Sequence, residues 1–175
     1  MTALPCSLIL CGFTASGKSA VGSRLADELI VPFYDTDQML EEKHGMSPQA
    51  LFAKHGDAVF RDLEHEVALE AAALPPCVIS TGGGMLTYPR NAEVLKACGK
   101  IILIDRAFDR IWQCLSSQPD RPLLRGRTKE NVRAMYDTRM LAYLAWADIY
   151  AHNYNLPMTA RRLAAWAKTL AAPES

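Results

Sequence analysis

The octapeptide Gly12-Phe13-Thr14-Ala15-Ser16-Gly17-Lys18-Ser19 decides what chemistry this chain can do. A glycine, four residues and then Gly-Lys-Ser is the pattern of a loop that cradles phosphates. Gly12 and Gly17 let the backbone bend where a side chain would block a phosphate. The loop amides and the N-terminus of a following helix turn partial positive charge toward an anion. Lys18 adds a full charge for the terminal phosphates of a nucleotide, and the Ser19 hydroxyl is a hard-oxygen ligand suited to Mg²⁺. The expected nucleotide-binding set is Gly12, Thr14, Ala15, Ser16, Gly17, Lys18, Ser19 and Ala20. Phosphoryl transfer needs charge neutralisation, in-line placement and dryness more than covalent help. Two acids further on suit that need. Asp35 can hold Mg²⁺ through its water shell, and Asp37 can accept a hydrogen bond from an acceptor hydroxyl and serve as its base. The plainer reading is that one of the two merely caps the helix beginning at Gln38.

These residues must be positioned by ordered elements, and the apolar pattern supplies them. Ser7 to Cys11 is a short apolar run that reads as a buried strand, and Ser19 to Leu29 has apolar residues at helical spacing. Pro32-Phe33-Tyr34 is a second strand, ended by Asp35-Thr36-Asp37, and Gln38 to His44 is helical. Ser47 caps a helix with Pro48 in its first turn, which stops near Gly56, and Asp57 to Leu74 is a long helix closed by two prolines. Cys77 to Thr81 is the third strand and runs into Gly82-Gly83-Gly84. Pro89 to Cys98 is a helix, Ile101 to Ile104 the fourth strand, and Phe108 to Leu115 a helix. Ser116 to Arg127 has no period and reads as a mobile loop. Thr128 caps a helix to about Asp148, Ile149 to Asn153 is a fifth strand, and Met158 to Ala171 an amphipathic last helix. Alternating strands and helices give an α/β fold with a parallel sheet. Its ligands bind beyond the carboxyl ends of the strands, so the phosphate loop, Asp35/Asp37 and Gly82–Gly84 are expected to meet there.

The bulk numbers narrow the function classes. With 175 residues the chain is expected to form one domain spanning 1–175. Nineteen basic residues cancel nineteen acidic ones, so no net charge favours nucleic acid or membrane as a partner. No apolar run approaches the ~20 residues of a membrane span, and Met1-Thr2-Ala3-Leu4 lacks a basic start to a signal peptide. A cytoplasmic protein is expected. Its five cysteines lack metal-ligand spacing and read as reduced, mostly buried thiols.

Taken together, these residues closely resemble the shikimate kinase family. The resemblance covers nearly the whole chain. It rests on Gly12 to Ser19, Asp35-Thr36-Asp37, Phe52-x3-Gly56-x3-Phe60-Arg61-x2-Glu64, Gly82-Gly83-Gly84, Arg121-Pro122-Leu123-Leu124 and Arg139-x3-Tyr143, in that order. It implies a three-layer αβα P-loop kinase fold, with a five-stranded parallel sheet ordered 2-3-1-4-5 and a mobile lid at about 112–127. It also implies transfer of phosphate from ATP to the 3-hydroxyl of shikimate, a step in chorismate and aromatic amino-acid synthesis; Mg²⁺ is the expected cofactor and a monomer the expected state. Arg61 and Arg139 would hold the shikimate carboxylate, since guanidinium forks match a carboxylate bidentately and two forks impose orientation. Glu64, one turn after Arg61, would hold that side chain in place. Gly82, Gly83 and Gly84 would let bare amides approach the substrate, alongside Asp37. Arg121 resembles the lid arginine that closes over the transferring phosphate, touching ATP and completing a catalytic set with Lys18 and Asp37. Phe52 and Phe60 read as either core or pocket wall.

Three positions depart from the family pattern. Ala15 stands where a glycine is usual in the phosphate loop. Cys114 occupies the place of an arginine that stacks on adenine, with Arg110 one turn earlier as its possible substitute. His152 stands where relatives carry an acid. The alternative readings are another small-molecule P-loop kinase, such as gluconate kinase, and a catalytically silent nucleotide-binding protein.

Overall fold

Every residue of strand β1 (Ser7–Cys11) is buried, because both faces of the sheet are covered. Side chains alternate across a strand, so neighbours in sequence enter opposite cores. Ile9 and Cys11 join Ile79, Ile101 and Leu103 in one core, while Leu8 and Leu10 join Val78, Ile102 and Ile104 in the other. Fully burying each of these large aliphatic side chains contributes about 1.5–3 kcal/mol.

The computed structural model describes residues 4–118 and 122–170. After β1 come α1 (Lys18–Leu29), β2 (Phe33–Asp35), α2 (Thr36–His44), α3 (Pro48–Ala72), β3 (Val78–Ser80) and α4 (Pro89–Cys98). They are followed by β4 (Gly99–Asp105), α5 (Phe108–Ser116), α6 (Lys129–Trp146), β5 (Ile149–His152) and α7 (Leu156–Leu170). The five strands form one parallel sheet ordered β2-β3-β1-β4-β5, as the resemblance implied. Val21 and Leu25 of α1 and Leu163 and Ala167 of α7 cover one face. Leu51 and Val67 of α3, Leu95 of α4 and Tyr143 of α6 cover the other. A third cluster joins Phe13 of the phosphate loop to Phe108 and Ile111 of α5 and Val132 of α6. No helix among the described residues is long and apolar enough to cross a membrane.

Local chemistry explains the ends that position the site. Helix α2 begins two residues earlier than expected, at Thr36, because the Asp35 carboxylate accepts the Asp37 amide at 3.0 Å and caps it. In α3, Gly56 takes φ 81° and ψ 175°, so two helical segments meet at a kink. The expected stop at Gly56 is therefore a bend, and it brings the Phe52 and Phe60 rings edge to face at 5.6 Å. Helix α6 opens on a reciprocal Thr128–Asn131 capping box and ends at Trp146, short of the expected Asp148. Asp148 is drawn off instead, accepting from the Ile101 amide at 2.8 Å and pairing with Lys96 at 2.6 Å. Helix α7 starts at Leu156 rather than Met158, since the Asn155 side chain accepts the Met158 amide at 3.1 Å. Between Ser116 and Arg127 the chain makes a short 3-10 turn at Pro122–Leu124; Arg121 lies outside the described residues.

Candidate active site

Strand β1 delivers Gly12 to the carboxyl edge of the sheet, and the loop returns into α1 at Gly17, whose φ of 94° suits glycine. Inside the loop the Ser16 amide donates to the Phe13 carbonyl at 3.1 Å. Lys18 folds back and donates Nζ to the same carbonyl at 3.0 Å. It is only 8% exposed. Burial holds its pKa below the ordinary lysine value, and the charges of Asp37 and Asp35 pull it back up. Ala15 sits at φ 65°, in the left-handed region. That conformation costs an L residue about 1–2 kcal/mol. Its methyl packs beside the Phe13–Phe108 cluster, which offsets part of the cost. Ala15→Gly removes the strain but loses that packing and adds about 0.4–1 kcal/mol of chain entropy in the unfolded state. The expected outcome by calorimetry is a thermal midpoint within about 4 °C of the parent; a larger fall would mean that the methyl holds the loop in shape.

Ser19, Asp35 and Ser80 bring oxygen atoms together at the start of α1 and the ends of β2 and β3. Ser19 Oγ donates to Asp35 Oδ2 at 2.6 Å and lies 3.2 Å from Ser80 Oγ. The two readings of Asp35 therefore coexist: Oδ1 caps α2 while Oδ2 faces Ser19. Among the described residues no group of three or more His, Cys, Asp or Glu could hold a metal alone. Mg²⁺ needs fewer, since it keeps several waters and shares the substrate's phosphate oxygens. A hydroxyl and one carboxylate oxygen fit that requirement.

Beside the phosphate loop lies a cleft of about 1040 Å³, and Asp37, Arg61, Gly82, Gly83, Gly84 and Arg139 all line it. These residues come from α2, the second half of α3, the turn after β3, and α6. Burial and the Asp35 charge raise the Asp37 pKa above the usual carboxylate value, and Lys18 opposes that rise. Arg61 Nη1 donates to Glu64 Oε2 at 2.6 Å and Nε to Asp57 Oδ1 at 3.1 Å. Its guanidinium also lies over the Tyr88 ring at 4.8 Å and the Phe60 ring at 5.2 Å. Burial raises the Glu64 pKa, and Arg61 pulls it down. Arg139 donates Nη1 to the Gly83 carbonyl at 3.3 Å and stands 5.6 Å from the centre of the Phe13 ring. Tyr143 Oη donates to the same carbonyl.

The three glycines have a reason that the sequence did not disclose. A side chain at Gly82 would come within 2.5 Å of Asp37 Oδ1, one at Gly83 within 3.0 Å of Thr14 Oγ1, and one at Gly84 within 3.0 Å of Arg61 Nη1. Each glycine thus clears room for a different polar side chain of the cleft. Not all of their polar groups point at substrate: the Gly82 amide is taken by Thr36 Oγ1 at 2.9 Å, and the Gly83 carbonyl by Arg139 and Tyr143. Phe52 and Phe60 both line the cleft, Phe60 buried and Phe52 exposed, so Phe60 is core and wall at once. Thr14, grouped with the nucleotide residues, lines the cleft as well. Sequence reasoning missed Arg125 on the cleft wall and Tyr88 under Arg61. A charged residue just past the Pro122-Leu123-Leu124 run was the available signal for Arg125; Tyr88 had none.

Comparison with known proteins identifies the family. The family model for shikimate kinase matches residues 14–167. A shikimate kinase of Moorella thermoacetica is 35% identical over 147 residues, covering 84% of each chain. The structure of a shikimate kinase from Acinetobacter baumannii in complex with shikimate superposes with a TM-score of 0.87 and 26% identity, over 94% of this chain and 93% of that one. A gluconokinase from Sinorhizobium meliloti reaches a TM-score of 0.63 at 14% identity, over 97% and 95% of the two chains, a likeness of fold alone. This chain belongs to the shikimate kinase family.

Proposed function

We propose that the chain transfers the terminal phosphoryl group of ATP to the 3-hydroxyl of shikimate, with the residues of the cleft in the following roles. The observation that carries the reading is a single cleft holding a buried carboxylate, Asp37, together with two arginines, next to a phosphate loop whose lysine interacts electrostatically with that carboxylate. Arg61 and Arg139 grip the substrate carboxylate and fix the orientation of the ring. That leaves a ring hydroxyl toward Asp37, which accepts its proton as the phosphoryl group arrives. Lys18 and the loop amides neutralise charge on the phosphates. Ser19 and Asp35 would hold Mg²⁺, which would supply further charge neutralisation for the phosphates. Arg121 would approach the same phosphates from the lid. Product analysis by phosphorus NMR tests the regiochemistry. A phosphomonoester at carbon 3 of shikimate is expected, and phosphate at another hydroxyl would contradict the orientation given to the clamp.

The base of the nucleotide is held differently from the family pattern. Cys114 is half-buried on α5 and Arg110 is exposed one turn before it. An arginine over an aromatic base contributes about 0.5–2 kcal/mol, whereas cysteine offers a small polarizable contact. The segment from Asn153 to Pro157 and the local backbone then carry the adenine. Cys114→Arg is expected to lower the KM for ATP several-fold at nearly constant kcat, as added uniform binding does. If Arg110 already covers the base, Cys114→Arg changes nothing and Arg110→Ala raises the KM for ATP. Steady-state kinetics of both variants with ATP and GTP decide between these; no change in either variant would place the base elsewhere.

A further inference from the structure

We propose that Asn153 is a positioning residue for the phosphate loop, its side-chain amide fixing the direction in which the Gly17 amide points. The inference rests on the nucleotide reading of the loop given above. Asn153 directly follows β5 and is 8% exposed. Its own amide donates to the Asp105 carbonyl at 2.7 Å, which extends the β4–β5 ladder by one residue and ties its backbone to the sheet. Its Nδ2 then donates to the Ser16 carbonyl at 3.0 Å, linking residues 137 apart in sequence.

The consequence follows from the geometry of the peptide group. In a planar trans peptide the carbonyl and the next amide hydrogen point in opposite directions. With the Ser16 carbonyl drawn toward Asn153, the Gly17 N–H is turned to the other side of the loop, where a phosphate is cradled. The helix does not make this bond redundant, because Ser16 precedes the Gly17 cap of α1 and its carbonyl lies outside the helical ladder. The contact is also tight. A Cβ at Gly17 would fall on Asn153 Nδ2, so the amide lies flush under the loop. Gly17 is thus required twice, by its φ of 94° and by its neighbour.

A second observation sets this junction apart. Ser16 Oγ and Asn153 Oδ1 are both buried without a hydrogen-bond partner among the described residues. One is a hydroxyl with a proton to donate, the other an amide oxygen able to accept. Leaving such groups unpaired in the interior is costly, and a plain structural prop at this position would be cheaper if apolar. The amide supplies Ser16 with a donor that an apolar side chain would lack.

Two variants of the full chain test the proposal. Asn153→Asp keeps shape but sets a carboxylate oxygen against the Ser16 carbonyl, and Asn153→Ala removes the bond. The readouts are the affinities of MgADP and of magnesium pyrophosphate, which has phosphates and no base, by calorimetry, and the separate KM values for ATP and shikimate. A loss with MgADP alone would be a base contact and would overturn the proposal. Asn153→Ala is expected to weaken MgADP and raise the KM for ATP about three- to tenfold, the scale of one lost hydrogen bond. Asn153→Asp is expected to exceed that, with the KM for shikimate within about twofold of the parent in both. Lowering the pH protonates the introduced carboxyl and restores an O–H donor. The MgADP deficit of Asn153→Asp should then shrink toward acid while that of Asn153→Ala stays constant. If Asn153→Asp does not fold, Asn153→Ala carries the comparison alone. Unchanged MgADP affinity in a folded variant overturns the proposal, and so does an equal rise in both KM values, which would indicate general loosening. A parent protein that binds no MgADP would overturn the nucleotide reading itself, an outcome visible before any variant is compared.

Discussion

Asp37→Asn is expected to lower kcat by about 10²–10⁴-fold while MgATP still binds, because the amide keeps the size of the side chain but cannot take a proton. The low end of that range is favoured by a loose transition state, which asks little of a base. Two further readouts follow from the position of this carboxylate. Burial and Asp35 raise its pKa, so the acidic limb of kcat/KM for shikimate should lie above the ordinary carboxylate range. A group whose folded pKa is raised binds its proton more tightly in the folded state, so its ionised form destabilises the fold at neutral pH. Asp37→Asn should therefore raise the thermal midpoint of the ligand-free protein as it lowers turnover. Such an exchange of stability for function is usual at active sites. Turnover like the parent's would remove Asp37 from the reaction.

Arg61→Ala and Arg139→Ala are each expected to weaken shikimate binding by about 1.5–3 kcal/mol, roughly 10- to 150-fold in Kd. The two losses should not simply add, since both arginines hold one carboxylate. The variants should differ in stability. Arg61 is the partner of Glu64, which is only 3% exposed, and removing it strands a buried acid. Arg139 leans on a carbonyl and an aromatic ring, so its loss leaves no charge uncompensated. Arg61→Ala should thus lower the thermal midpoint markedly, and Arg139→Ala little. Arg61→Lys should restore little binding, because an ammonium lacks the planar fork. Calorimetric titration with shikimate checks both; unchanged affinity in either variant would take that arginine out of the site.

The parts legible in the sequence are those with strong local rules. Ser7–Cys11 and Ile101–Ile104 are buried on both faces, so their apolar runs announced them. Gly12 to Ser19 is a pattern with a backbone requirement, and that requirement is met at Gly12 and Gly17, which both take positive φ. The sheet order came from the resemblance, since strand order is a tertiary property that periodicity does not encode. What stayed hidden was pairing between distant residues. Asp148 reads as the end of a helix, yet bonds to Ile101 and Lys96 pull it away. Gly82 to Gly84 read as substrate-facing amides, yet each glycine also yields space to a side chain from another element. Asn153 reads as the end of a strand, and its reach to Ser16, 137 residues away, had no sequence signal.

The most direct test of the account is ADP release by the whole chain with Mg²⁺ and ATP, followed in a coupled assay with shikimate or gluconate as acceptor. The account predicts ADP release that depends on shikimate, saturates with it, and is absent with gluconate. Binding of MgATP without shikimate-dependent turnover, or turnover with gluconate in its place, would contradict it.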